Sequence, residues 1–214
     1  MEEAATVPMS ALTAWQGLFE QGGLSEEPFV DEKGEVHGGQ AKGKRVLILG
    51  AAGGVGIQAV QYAKIAGAYV VGTASARNAE FLKGLGVDEV LDYTKSSVKE
   101  YVNGDEERKF DVVFDCAGGK SMLDGWNGVK RNGSYPSIVV GFEEPEEGKP
   151  EGVKCGFFVM VSRGEELERI SKFIEKGLVK TSVDSVWKIE EFEEAFKKTA
   201  TGHARGKVVI KVAE

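Results

Sequence analysis

The sequence predicts an α/β fold, a parallel sheet doubly wound by helices on both faces. Three observations carry this. Apolar strand-like runs alternate with helical segments between residues 45 and 140. The first run, Val46-Leu47-Ile48-Leu49, has no polar side and must be covered on both faces. It breaks into a glycine-rich turn, GAAGGVG at 50–56, from which Val55, Ala59, Val60 and Ala63 recur at helical spacing. Repeated strand–helix–strand units of this length favour parallel pairing, with crossovers on both faces.

Before that unit, Leu12, Trp15, Leu18 and Phe19 lie on one side of a helix at 11–19, closed by Gln21-Gly22-Gly23. The polar stretch 25–44 reads as an acidic surface loop. After the glycine turn and its helix come strands at 69–73, 89–91, 110–115 and 133–140. Helices at 78–84, 97–102 and 121–129 separate them. The stretch 141–152 holds five glutamates and two prolines and reads as a solvated loop. A strand at 155–160, apolar on both faces, precedes a helix at 165–175 and a strand at 182–187. A helix at 189–199, with Phe192, Ala195 and Phe196 inward, leads to a last strand at 207–212. The expected organisation is therefore a lead-in helix and acidic loop at 1–44, then one α/β domain at 45–214.

With 214 residues, 42% of them hydrophobic, the chain can bury one sizeable core. A net charge of −7 without a basic block lacks the footprint of a nucleic-acid binder. Cys116 and Cys155 are too few for a disulfide framework, and with His37 and His203 they do not have zinc-site spacing. No apolar run is long enough to span a bilayer, and the acidic N-terminus lacks signal-peptide character, so the expectation is a cytoplasmic protein.

A buried strand, a glycine turn and a helix opening at that turn have the form of a Rossmann-type dinucleotide-binding unit. Glycine lets the chain turn sharply and lets a pyrophosphate approach, while the helix's first N–H groups hold the anion. Two registers fit: Ala51, Gly53 and Gly56, or Gly50, Gly54 and Gly56. Short-chain dehydrogenases use the second and also need Tyr-x-x-x-Lys, yet no tyrosine here has a lysine four residues later. At the end of the second strand an NAD site places a carboxylate. Here Ala74-Ser75-Ala76-Arg77-Asn78 has no acid until Glu80, and Ser75 and Arg77 suit a 2′-phosphate. NADPH (NADP+) is the expected cofactor. A solvent-facing Arg77 is the plainer alternative.

The segments VPMSALTAW, LILGAAGGVGIQAVQYAK, FDVVFDCAGG, GSYPSIV and GHARGKVVIKV, in this order, resemble the medium-chain dehydrogenase/reductase superfamily. The likeness is strongest to its zinc-independent quinone oxidoreductase branch, in the NADPH-preferring A-x-G-G-V-G form. The acidic loop between Gly23 and Lys44 looks like a lineage-specific elaboration. Members of this family begin with a β-rich catalytic domain, so the resemblance implies an isolated cofactor domain whose strands from about Ser182 would pack on the other half.

That resemblance implies roles by position. Gly53, Gly54, Val55 and Gly56 would hold the pyrophosphate, and Ser75, Arg77 and Tyr93 the 2′-phosphate and adenosine. Thr13 matches a threonine against the nicotinamide. Cys116, Ala117, Gly118, Ser137 and Ile138 sit where strand ends approach the ribose and ring. Phe157 and Phe158 would line the nicotinamide site, and the strand 157–160 could pair with a second copy. Arg205 and Lys207, in the ARGK turn, would reach a phosphate. No catalytic residue or metal ligand is implied. The resemblance implies hydride transfer from NADPH to a quinone or α,β-unsaturated carbonyl in the full enzyme, with little turnover by this chain alone. The alternative is a non-catalytic NADPH-binding or interaction module. A methyltransferase would want an acid where Ala74 stands.

Overall fold

Four apolar residues in a row can only be satisfied in the middle of a layered structure, and Val46 to Leu49 are all fully buried. The computed structural model describes residues 1–213. In chain order its elements begin with a short α1 (Glu2–Ala5), then α2 (Pro8–Gln16) with proline in its first turn, which runs on as a π-helical turn at Gly17–Gln21. A small hairpin of β1 (Phe29–Val30) and β2 (Val36–His37) occupies the expected loop. Then follow β3 (Arg45–Leu49), α3 (Gly54–Ile65), β4 (Tyr69–Ala74), α4 (Ala79–Lys83), β5 (Glu89–Asp92), α5 (Val98–Val102), β6 (Phe110–Asp115), α6 (Gly119–Gly125) and β7 (Val129–Ser137). The chain closes with β8 (Lys154–Phe157), α7 (Gly164–Glu175), β9 (Val183–Lys188), α8 (Phe192–Ala200) and β10 (Lys207–Lys211).

Six strands form one parallel sheet in the order β5-β4-β3-β6-β7-β8. The order reverses between β3 and β6, which is the topological switch point of a Rossmann-type fold. Because side chains alternate across a strand, Val46 and Ile48 face one core and Leu47 and Leu49 the other. The first core holds α2, α3 and α7. There Trp15 packs against Phe19, Tyr62 and Phe173 at 4.7, 5.3 and 6.0 Å between ring centroids. Gln16 ties α2 to α7, donating to Glu166 Oε2 at 2.7 Å and to the Val161 carbonyl at 2.8 Å. The lead-in helix thus shares the core of the sheet. On the other face lie α5 and α6, with Val98, Val102 and Trp126 over Leu47, Leu49 and Val113.

Two expectations are corrected. The strand at 155–160 is not apolar-buried on both faces, because β8 is an edge strand with Phe157 45% exposed. In α8 only Ala195 is buried, while Phe192 and Phe196 are 48% and 66% exposed. This helix crosses a separate two-stranded parallel sheet, β9 with β10, that is too small to cover its apolar face. An isolated bridge between Gly53 and Gly206 joins the residue before β10 to the glycine turn that follows β3.

Candidate functional site

The end of β3 turns at Gly50, whose φ of +75° is a conformation that favours glycine. The turn is pinned to β4: Gly50 N donates to Thr73 Oγ1 at 3.0 Å, and Ala51 N to the Thr73 carbonyl at 3.1 Å. Gly53 caps α3 in an extended conformation and offers no side-chain acceptor. The N–H groups of Gly54, Val55 and Gly56 therefore lack intrahelical partners and carry the positive end of the helix dipole. A Cβ on Gly56 would lie 2.3 Å from Gly50 O and 2.7 Å from Ala51 Cα, and one on Gly53 would lie 3.3 Å from Gly50 O. A Cβ on Gly54 would meet chiefly the flexible side chain of Lys207. Backbone contact thus demands glycine most at 56, which both registers share, while Gly50, with positive φ and Cys116 O at 3.3 Å from its Cβ position, and Gly53 are each constrained more mildly.

Two adjoining cavities, of about 360 and 300 Å³, open at this switch point and share Gly53, Cys116, Gly202 and Ala204. The first collects Gly53, Ser75, Arg77, Tyr93, Cys116 and Ala117 from the residues expected by sequence. The second collects Gly53, Gly54, Val55, Gly56, Cys116 and Ile138. No carboxylate lines either cavity among the described residues. Sequence reasoning missed Thr73, Asn78 and Ser121, and considered His203 only as a metal ligand; it lines the first cavity from an exposed turn. Lys207 lines the second cavity beside the start of α3. Lys207 stands in the ARGK turn that the family resemblance implied would reach a phosphate, whereas for His203 no local signal exists, since its place depends on contacts far along the chain.

Six expected residues lie outside both linings. Thr13 is buried within α2, its hydroxyl donating to the Met9 carbonyl at 2.6 Å. Gly118, at φ +73°, donates its N–H to Asp115 Oδ1 at 2.8 Å, as Ala117 does at 2.9 Å. Ser137 donates its hydroxyl to Asp115 Oδ2 at 2.7 Å. Fully buried Asp115 is thus a hub that shapes the β6 and β7 ends. Its signal was the acid that directly follows the apolar run Val112-Val113-Phe114. Phe158 packs 6.2 Å from Phe114, and Phe157 lines a separate cavity near Glu20 and Pro136. Arg205 stacks its guanidinium 4.8 Å over the Phe81 ring. Burial, reinforced by Asp115, pushes the Cys116 thiol pKa well up, so the group stays protonated near neutral pH.

The geometry is an anion cradle at the carboxyl end of a Rossmann-type sheet, and the comparisons with known proteins agree with it. A family profile described as zinc-binding dehydrogenase matches residues 85–210. The chain belongs to this family. It is similar to the probable zinc-binding oxidoreductase, mitochondrial, of Arthroderma benhamiae, with 43% identity over 99% of this chain and 62% of that protein. It is also similar to the NAD(P)H oxidoreductase RTN4IP1, mitochondrial, of Danio rerio, with 33% identity over 100% of this chain and 57% of the relative. Among solved structures, the quinone oxidoreductase from Coxiella burnetii superposes with a TM-score of 0.79 at 26% identity, over 98% of this chain and 60% of its own. The chain thus spans about three fifths of the length of the curated relatives it matches. Fold and family together make it the cofactor-binding domain of a medium-chain dehydrogenase/reductase.

The zinc in the family's description does not fit this domain's donors. Cys116 lines the cleft, whereas Cys155 Sγ lies 3.3 Å from both Lys149 Nζ and Glu144 Oε1. Among the described residues, one group of three candidate ligands comes close together: Asp31, Glu35 and His37. It lies on the exposed hairpin, and Asp31 already accepts from the Glu35 N–H and pairs with His37 at 2.8 and 2.9 Å. A thiolate and imidazole tetrahedron is not assembled. No helix among the described residues is long and apolar enough to cross a membrane.

Proposed function

We propose that the chain is the NADPH-binding domain of an oxidoreductase acting on a quinone or an α,β-unsaturated carbonyl. One observation carries this reading: the free N-terminus of α3 opens onto a cleft without carboxylates that ends at Ser75 and Arg77. The N–H groups of Gly54, Val55 and Gly56, with Lys207 beside them, would hold the pyrophosphate. Ser75 and the Arg77 guanidinium would hold the 2′-phosphate, which a carboxylate there would repel. Asn78 and Tyr93 line the same end and would flank the adenosine. Ile138 and Cys116 would wall the nicotinamide side, where a protonated thiol adds no charge. When bound, the nicotinamide supplies the hydride; this domain binds and orients it.

Substrate class rests on resemblance: the Coxiella neighbour is titled a quinone oxidoreductase, and the Danio relative is named for NAD(P)H. A cytoplasmic site has less behind it, since both curated relatives are named as mitochondrial. A second copy of the chain would add along the exposed β8 edge, where Phe157 and Val159 face solvent.

Calorimetric titration with NADPH and NADH tests the cofactor. NADPH should bind more tightly, and Arg77→Ala should cost it about 1.5–3 kcal/mol, roughly 10- to 150-fold, while leaving NADH nearly unchanged. Equal affinities for the two, or an Arg77→Ala chain that keeps full NADPH affinity, refute the phosphate assignment.

A further inference from the structure

Residues 201–206 (TGHARG) cross the mouth of the cleft. Gly202 and Ala204 border both cavities, and His203 borders the first. The ends of this segment are fixed. Gly202 N donates to the Thr199 carbonyl at 3.1 Å, where α8 finishes. At the other end Gly206 N donates to the Ala52 carbonyl at 3.1 Å, inside the glycine turn, and Arg205 N donates to Asp184 Oδ1 at 2.7 Å. Gly202 and Gly206 both hold positive φ, +66° and +91°, and bracket the segment as potential hinges. Between them the backbone is largely exposed.

Two contacts join the middle of the segment to the opposite lip. The Arg205 guanidinium lies over Phe81, and Arg77 Nη2 donates to the His203 carbonyl at 3.3 Å. The second is long, and an exposed arginine loses side-chain entropy to keep it, so alone it holds weakly. Arg77 also lines the first cavity, and its planar fork has further donors to offer.

We infer that residues 201–206 are a strap latched by phosphate through Arg77. This rests on the cofactor reading above. A phosphate monoester in the first cavity engages the free donors of the guanidinium and fixes its position. The His203 carbonyl is then held by an arginine that has already lost its freedom, so the same hydrogen bond closes the strap more firmly. A dinucleotide without that phosphate fills the cleft but leaves the strap loose. Arg77 would thus recognise the phosphate and also control release of the cofactor.

Hydrogen–deuterium exchange of the 214-residue chain, read on peptides covering 199–208, tests this with NADPH and NADH each at saturation. NADPH is expected to slow strap exchange about tenfold relative to NADH, the factor that ~1.4 kcal/mol represents. Arg77→Lys keeps a cation but loses the fork. Saturated with NADPH, it should show only the protection that NADH gives the native chain. Equal protection by the two dinucleotides, or full protection in saturated Arg77→Lys, overturns the strap while leaving cofactor binding intact. If calorimetry detects neither dinucleotide, the cofactor reading fails and the strap falls with it.

Discussion

Replacing Gly56 with alanine asks whether the glycine turn and α3 touch as closely as the backbone places them. The added Cβ would sit 2.3 Å from Gly50 O, 2.7 Å from Ala51 Cα and 2.8 Å from Ala51 C. Non-bonded carbon atoms rest about 3.5–4.0 Å apart, so turn and helix must separate by roughly 1 Å. Overpacking of this kind costs about 1–3 kcal/mol. The better helix propensity of alanine returns up to about 1 kcal/mol. All three contacts are with backbone, which no rotamer change can relieve, so the net loss should fall near 2 kcal/mol. Gly54→Ala is the control, because its Cβ meets Lys207 Cδ at 2.6 Å, an atom free to swing away. That variant should keep its stability. Urea unfolding followed by tryptophan fluorescence reads both, and 2 kcal/mol corresponds to a midpoint shift of roughly 1 M. A Gly56→Ala midpoint within about 0.3 M of the native chain would refute the contact argument, as would an equal loss in Gly54→Ala.

Two further predictions concern titrating groups. Burial tends to raise the Asp111 pKa, but the Arg45 N–H, Lys130 and Lys44, at 2.9, 2.9 and 3.3 Å, together hold it below the ordinary carboxylate value. A depressed folded-state pKa stabilises fully above the unfolded value, about 4, and that contribution is lost as pH falls through the folded value. Asp111→Asn should therefore flatten the acid limb of the stability profile below about pH 4, and an unaltered limb would contradict this. Cys116 should alkylate with iodoacetamide at pH 8 at least about tenfold more slowly in the folded chain than in urea, because desolvation and the neighbouring Asp115 raise its thiol pKa and keep it protonated. Fast folded-state labelling located at Cys116 by mass spectrometry would count against that raised pKa.

The parts of the fold that were legible in the sequence are those where a short stretch determines its own surroundings. Val46 to Leu49 admit no exposed face, and the glycines that follow force a turn, so β3, the turn and α3 follow from about twenty residues. The pattern of α8 was legible in period but not in consequence. Phe192, Ala195 and Phe196 do share one side, yet only Ala195 finds a neighbour to bury it. Periodicity reports that a helix has an apolar face; whether anything covers that face depends on the rest of the assembly. Stretch 25–44 hid a hairpin because β1 and β2 have two residues each, below the length at which alternation can register.

The candidate site divides along a similar line, and the division bears on how it works. Of the side chains at its ends, Ser75 and Arg77 could be read from the residues that follow the second strand, where no acid stands, and Tyr93 only through the family resemblance. Its centre is made of backbone: N–H groups at 54–56, a strap of main chain at 202–204 and a bridge between Gly53 and Gly206. Of the strand-end residues expected near a ligand, Cys116 and Ala117 line the cleft, while Asp115 gathers the N–H groups of Ala117 and Gly118 and the hydroxyl of Ser137 onto one buried carboxylate. That carboxylate is spent on shaping the strand ends, which leaves the cavity walls free of negative charge. On the proposed reading such a cleft would attract an anion through fixed main-chain dipoles and discriminate at its rim, so substitutions at Arg77 should alter which dinucleotide binds, and substitutions at Gly56 whether the turn and α3 pack at all.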